Sequence, residues 1–174
     1  MDSLKKWKDL IGYACIIQNK LMQLDKKHIY EFHCPKLAAT EEQINEAQAK
    51  IGFELPKDYK DFLLCANGWD CFWLNVDLFG TQELTSSRVT DALDLLFDVV
   101  IEYFPELEKR KNSILPIANS EEDLDTFILF LSNDEYYGKV IWIAGQEIDL
   151  FDSFEQFFCS MVLYNKNRAL KNST

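Results

Sequence analysis

The sequence predicts a single α+β domain in which helices pack against a mostly antiparallel sheet. Three observations predict it. Helical apolar periodicity dominates the early part of the chain. Two continuous apolar runs of strand length, residues 127–131 and 140–144, lie in the last third around a polar stretch containing Gly138. One more amphipathic segment closes the chain, so helices flank a group of strands instead of alternating with them. The 174 residues are the size of one ordinary domain, and no repeat, low-complexity stretch or long linker divides them.

Residues 3–26 read as a helix, with Leu10, Ala14, Ile17, Leu21 and Leu24 on one stripe. Lys5, Lys6, Lys8, Lys20, Lys26 and Lys27 make this the most basic region, as a solvated helix face allows. Periodicity does not choose between packing on the domain and pairing two copies. Residues 28–39 are irregular, with Pro35 opposing helix. Thr40 opens a second helix, because Thr40 and Gln43 have capping-box spacing, and Gly52 stops it. Pro56 suits the first turn of a third helix, whose Tyr59, Phe62, Leu63 and Ala66 share a face. Asn67-Gly68 ends that helix, since both residues tolerate positive φ. Residues 73–79 alternate as one strand, with Leu74, Val76 and Leu78 on one side. Residues 88–104 form a helix with Val89, Leu93, Leu96, Phe97, Val100 and Phe104 inward, and Pro105 marks its end. Residues 114–118 are a short strand. Residues 127–131 and 140–144 are apolar enough to be covered on both faces, and 132–139 joins them as a hairpin. The last helix starts near Asp152, with Ser153 and Gln156 at capping-box spacing, and residues from 165 onward read as polar tail.

Composition narrows the function. Hydrophobic residues make up 48% of the chain, with 13 Phe, which supplies one core without disulfides or metal. The net charge of −11 opposes a general affinity for nucleic acid or anionic membrane and suits a basic partner. Five cysteines, an odd number, lie mostly within apolar segments. Met1-Asp2-Ser3-Leu4 leads into charged amphipathic sequence unlike a signal peptide, and no run approaches the roughly 18 apolar residues of a membrane span. The expectation is a cytoplasmic protein with reduced thiols.

Residues 40–68 read TEEQINEAQAKIGFELPKDYKDFLLCANG. A capped helix, a small residue, an aliphatic-Leu-Pro step, an Asp-Tyr helix start, a Phe-Leu pair and a terminal Asn-Gly follow in order. The matching residues are Gly52, Leu55, Pro56, Asp58, Tyr59, Phe62, Leu63, Asn67 and Gly68. This string resembles the opening signature of the SMI1/KNR4 (SUKH) superfamily. The resemblance implies a SUKH-like domain over residues 35–165, an N-terminal helical extension over 1–34 and a polar C-terminal tail over 166–174. Bacterial members are similar to immunity proteins that bind and neutralise a cognate polymorphic toxin domain, often a nuclease or other nucleic-acid-targeting toxin. The alternative is a scaffold or regulatory module with endogenous partners, as in fungal members. The motif residues are expected to be structural, and neither catalysis nor a cofactor is implied.

An inhibitor of a phosphate-binding toxin would present carboxylates. The candidate partner-binding residues are therefore Glu121, Glu122, Asp123 and Asp125, then Asp134 and Glu135 with Tyr136 and Tyr137, then Asp149 near Glu147 and Asp152. Each group also reads as ordinary loop charge. Trp69 and Trp73 flank Asp70, Cys71 and Phe72, as an aromatic patch or as a core corner. His28, His33 and Cys34, and separately Cys65 and Cys71, lack the paired spacing of structural zinc sites, so no metal is expected. Phosphate-cradling glycine loops, G-x-S-x-G and H-E-x-x-H are absent, and the two histidines offer little for a triad. A metal-dependent hydrolase using Asp123 and Asp125 is a distant rival that no spacing singles out.

Overall fold

The computed structural model describes residues 2–100, 105–132 and 134–172. Helix α1 spans Ser3–Leu24, and the Asp2 carboxylate caps it by accepting from the Leu4 amide at 3.2 Å. Its buried stripe is Trp7, Ile11, Ala14, Gln18 and Leu21, whereas Leu10, Ile17 and Leu24 are half-buried. The helix is thus rotated from the expected stripe. Trp7 sets the rotation, because its ring meets Phe62 at 5.6 Å and Phe158 at 5.3 Å. Gln18 faces inward because its amide donates to the Phe72 carbonyl at 2.7 Å, a role that apolar periodicity does not register.

Helix α2 covers Glu41–Ile51. Its capping box closes in both directions: the Gln43 amide N–H donates to Thr40 Oγ1 (3.2 Å), and the Thr40 N–H donates to Gln43 Oε1 (2.9 Å). Gly52 ends it at φ 81°. Helix α3 is only Lys57–Leu63, with Pro56 as its N-cap, and stops short of the expected Ala66. The single strand expected over 73–79 is instead a hairpin, β1 (Trp69–Trp73) and β2 (Val76–Leu78). Leu74 takes the turn at φ 54°, so the apparent alternation of Leu74, Val76 and Leu78 runs across a chain reversal. Trp69 and Phe72 are buried and Trp73 is half-buried, which favours the core-corner reading.

A 3₁₀ turn at Glu83–Thr85 leads into α4 (Ser87–Val100). Leu96 is buried, while Val89, Leu93 and Phe97 are half-buried; Phe104 and the side chain of Val100 lie outside the described residues. Pro105 opens the short helix α5 (Pro105–Lys109), the first-turn position where its missing N–H costs nothing. Strands β3 (Ile114–Ser120), β4 (Asp125–Phe130), β5 (Val140–Ala144) and β6 (Glu147–Phe151) follow. Strand β6 is where Glu147 and Asp149 read as loop. Only its Phe151 is buried, because it forms one edge of the sheet. Helix α6 runs Phe154–Lys171, capped by Ser153, so the expected tail is helical to Lys171 with Asn165 and Ala169 buried. Residues 173 and 174 lie outside the described residues.

The six strands lie in chain order and every neighbour pair is antiparallel. The sheet is covered on both faces, as the continuous runs predict. Phe127, Leu129, Val140 and Trp142 face the main core with Trp7, Tyr59, Phe62 and the α6 phenylalanines. Ile128, Phe130, Ile141 and Ile143 face a second cluster with Leu96 and Leu107. Helix α1 packs on α6 and α3, within the main core. No helix among the described residues is long and apolar enough to cross a membrane.

Candidate functional site

The residues of the 40–68 motif build the frame around the site. Leu55, Tyr59, Phe62 and Leu63 are fully buried. The Tyr59 hydroxyl donates to the Phe79 carbonyl at 2.8 Å, and burial pushes its phenol well above the ordinary value. Asp58 accepts from the Tyr59 amide and from the Glu155 amide, both at 3.0 Å, and so ties α3 to the first turn of α6. Burial raises its carboxyl. Gly68 has φ 93°, but Asn67 does not take the positive φ expected of it. Its side chain clamps Thr81 instead: Oδ1 accepts from the Thr81 amide at 2.7 Å and Nδ2 donates to Thr81 Oγ1 at 3.0 Å. Gly80 lies so close that a Cβ on it would stand 2.1 Å from the Asn67 carbonyl oxygen.

This frame separates the acidic groups. The turns between β1 and β2 and between β3 and β4 meet at one end of the sheet. There Asn75 Nδ2 donates to Asp123 (2.8 Å) and to Glu122 (3.3 Å), while Ser120 Oγ accepts from both of their amides. Arg88 pairs with Asp77 at 2.8 Å and Glu121 at 3.2 Å. Asp125 sits deeper and accepts from Trp142 Nε1 at 2.7 Å; burial, with Asp123 nearby, raises its carboxyl. The loop at Tyr30 and Glu31 borders the same turns. Together they line a cleft of about 640 Å³ whose walls include Glu31, Asp77, Glu121, Glu122 and Asp123 but, among the described residues, no lysine or arginine.

The second group lies at the opposite end, in the turn between β4 and β5. Asp134 is nearly buried, and Arg110 holds it with bonds of 2.5 and 2.6 Å. The Tyr136 amide (2.8 Å) and Ser113 Oγ (3.1 Å) also donate to it. Burial opposes its ionisation, but those donors outweigh burial and hold its carboxyl below the usual range. Tyr136 covers the Arg110 guanidinium at 4.8 Å. Asp134 and Tyr136 therefore build the turn, while Glu135, paired with Arg110 at 2.6 Å, and Tyr137 are more open. Asp149 lies on the edge strand opposite Trp142, away from both ends. The three groups do not share one surface.

Sequence reasoning missed Tyr30, Glu31, Asp77 and Cys71 at the cleft. Residues 30 and 31 lie far from β1 in the chain. Trp69 Nε1 brings them near by donating to the His33 carbonyl at 2.8 Å, a contact without a local sequence pattern. Cys71 is half-buried at φ 50°. Burial, then Asp77 and Glu31, push its thiol up to about 11.

A family model described as SMI1 / KNR4 family (SUKH-1) matches residues 38–160. The chain belongs to the SMI1/KNR4 family. The matched span holds all six strands of this SUKH-1 domain and the start of α6. Helix α1 precedes that span, yet its Trp7 sits in the SUKH-1 core. No curated protein matches the chain.

Proposed function

We propose that this SUKH-1 protein is an immunity protein that binds a cognate toxin domain and neutralises it by stoichiometric occlusion. The observation that carries the reading is the acidic cleft. Glu31, Glu122 and Asp123 are exposed there, and among the described residues no lysine or arginine pairs with Glu122 or Asp123. A toxin that acts on nucleic acid needs a basic site to hold phosphates. Carboxylates spaced around a concave wall imitate those phosphates and steer the encounter. Tyr30 and Leu74 add apolar surface of the kind that anchors an interface.

The test is co-expression with the C-terminal domain of the polypeptide encoded beside this gene, scored by growth and co-purification. Rescue with a one-to-one complex supports the reading. A toxic neighbour with neither rescue nor complex rejects that pairing. If no neighbour is toxic, the scaffold reading takes its place. Within a complex, Glu122→Lys with Asp123→Lys should slow association, and more so at low salt. An unchanged on-rate at low salt would remove the cleft from the interface.

A further inference from the structure

We infer that Glu31, His33 and Cys71 form a binding site for a divalent cation of the zinc class. One carboxylate oxygen, one imidazole nitrogen and the thiol sulfur lie within 4.8 Å of one another. The Glu31 to His33 pair is already at 3.1 Å. Zinc bonds of 2.0–2.3 Å in a tetrahedron place neighbouring donors about 3.3–3.8 Å apart. Closing the set around one ion therefore asks only for side-chain rotation, and Glu31 and His33 are exposed and free to turn. Thiolate and imidazole together select zinc over magnesium or calcium, which prefer oxygen alone.

The two segments are fixed relative to each other before any ion arrives. Trp69 Nε1 donates to the His33 carbonyl, and the Lys36 amide donates to the Gly68 carbonyl at 2.9 Å. On the other side, the Cys71 amide donates to Asp77 Oδ1 at 2.8 Å. Asp70, Asp77 and Glu122 surround the thiol with negative charge, which a dication turns from repulsion into attraction. The sequence hides this set because cysteine 34, not cysteine 71, is the neighbour of His33 in the chain. Three protein donors leave a fourth position for water.

The experiment uses the full chain, reduced and stripped with a chelator. Zinc is titrated by calorimetry and cobalt by absorbance, with circular dichroism on every variant. One equivalent should bind, and cobalt should give a sulfur-to-metal charge-transfer band. Cys71→Ser should abolish the band, and His33→Ala should weaken zinc binding by about a hundredfold or more. Cys34→Ser, the control, should bind as the parent does. Absence of the band in the parent, its survival in Cys71→Ser, undiminished binding in His33→Ala, or its loss in Cys34→Ser would each overturn the assignment. His33→Ala alters an exposed side chain, so the test stands even if Cys71→Ser folds poorly.

Discussion

Replacing Gly80 with alanine should be among the most damaging single-methyl additions in this fold. The new Cβ would stand 2.1 Å from the Asn67 carbonyl oxygen, 2.6 Å from its carbon and 2.7 Å from Asn67 Oδ1. Two of these atoms are backbone, so no rotamer change relieves the overlap. The chain at Gly80-Thr81 must part from Asn67-Gly68 by about 1 Å. That movement stretches both Asn67–Thr81 hydrogen bonds beyond useful length, given an ordinary range of about 2.7–3.2 Å. Each bond contributes about 1 kcal/mol net, and polar groups left unpaired in this partly buried place cost about 1–3 kcal/mol more. The expected loss is about 3–5 kcal/mol. In a chain of this length 1 kcal/mol moves the melting midpoint by about 2–4 °C, so the midpoint should fall by about 6–20 °C. Gly52→Ala supplies the contrast. Gly52 has φ 81° and open space around its missing Cβ, so only the left-handed backbone is penalised, by about 1–2 kcal/mol. Thermal and urea unfolding of both variants decide the matter. A Gly80→Ala protein as stable as Gly52→Ala would refute the close-packing argument.

Other expectations follow from single contacts. Tyr59→Phe leaves the Phe79 carbonyl without its donor in the core and should cost about 1–3 kcal/mol by urea unfolding. Asp134 has a lowered folded-state carboxyl, so its stabilisation is present above the ordinary carboxylate range and is lost as pH falls through the folded value. Urea midpoints of Asp134→Asn should consequently be lower at neutral pH and flatter toward acid than those of the parent. Equal slopes on the acid side would mean that another carboxylate sets the acid limit. Alkylation with chelator present, followed by mass spectrometry, should label exposed Cys34 first. Cys71 should react slowly at neutral pH, its rate still climbing with pH up to about 11, beyond the point where an ordinary thiol levels off. Early labelling of Cys71 would show that its thiol is not held protonated.

The elements that the sequence makes legible are those decided by local physics. The Thr40–Gln43 box, the Gly52 stop and the Ser153 cap each need only neighbours in the chain. The runs at 127–131 and 140–144 are apolar on every residue, so two-sided burial is readable before any partner is known. The errors share a different cause. Leu74 in a turn defeats an alternation rule that assumes an unbroken strand. Strand β6 is an edge, half open to water, and its acids read as loop. Gln18 and Asn165 occupy buried helix positions because both reach the Phe72 carbonyl, so a polar residue stands where periodicity asks for an apolar one. The acidic candidates were found as residue types, but their grouping was not legible. Arg110, remote in the chain, absorbs Asp134 into the frame, whereas Glu31 joins Glu122 and Asp123 only through the folded loop.

The contact of Trp7 with Phe154 and Phe158 has a consequence for synthesis. These partners are separated by about 150 residues, and ribosomes add roughly 5–20 residues per second. The first helix therefore leaves the ribosome about 7–30 s before the helix that covers it. During that interval the sheet can assemble strand by strand, because each strand pairs with the one just made. The indole of Trp7 can meet Phe62 once α3 is made, but its contacts with Phe154 and Phe158 wait for α6. Chains released before residue 154 would keep that aromatic surface bare, marking them for aggregation or proteolysis. Closure of the main core thus waits for α6 to leave the ribosome.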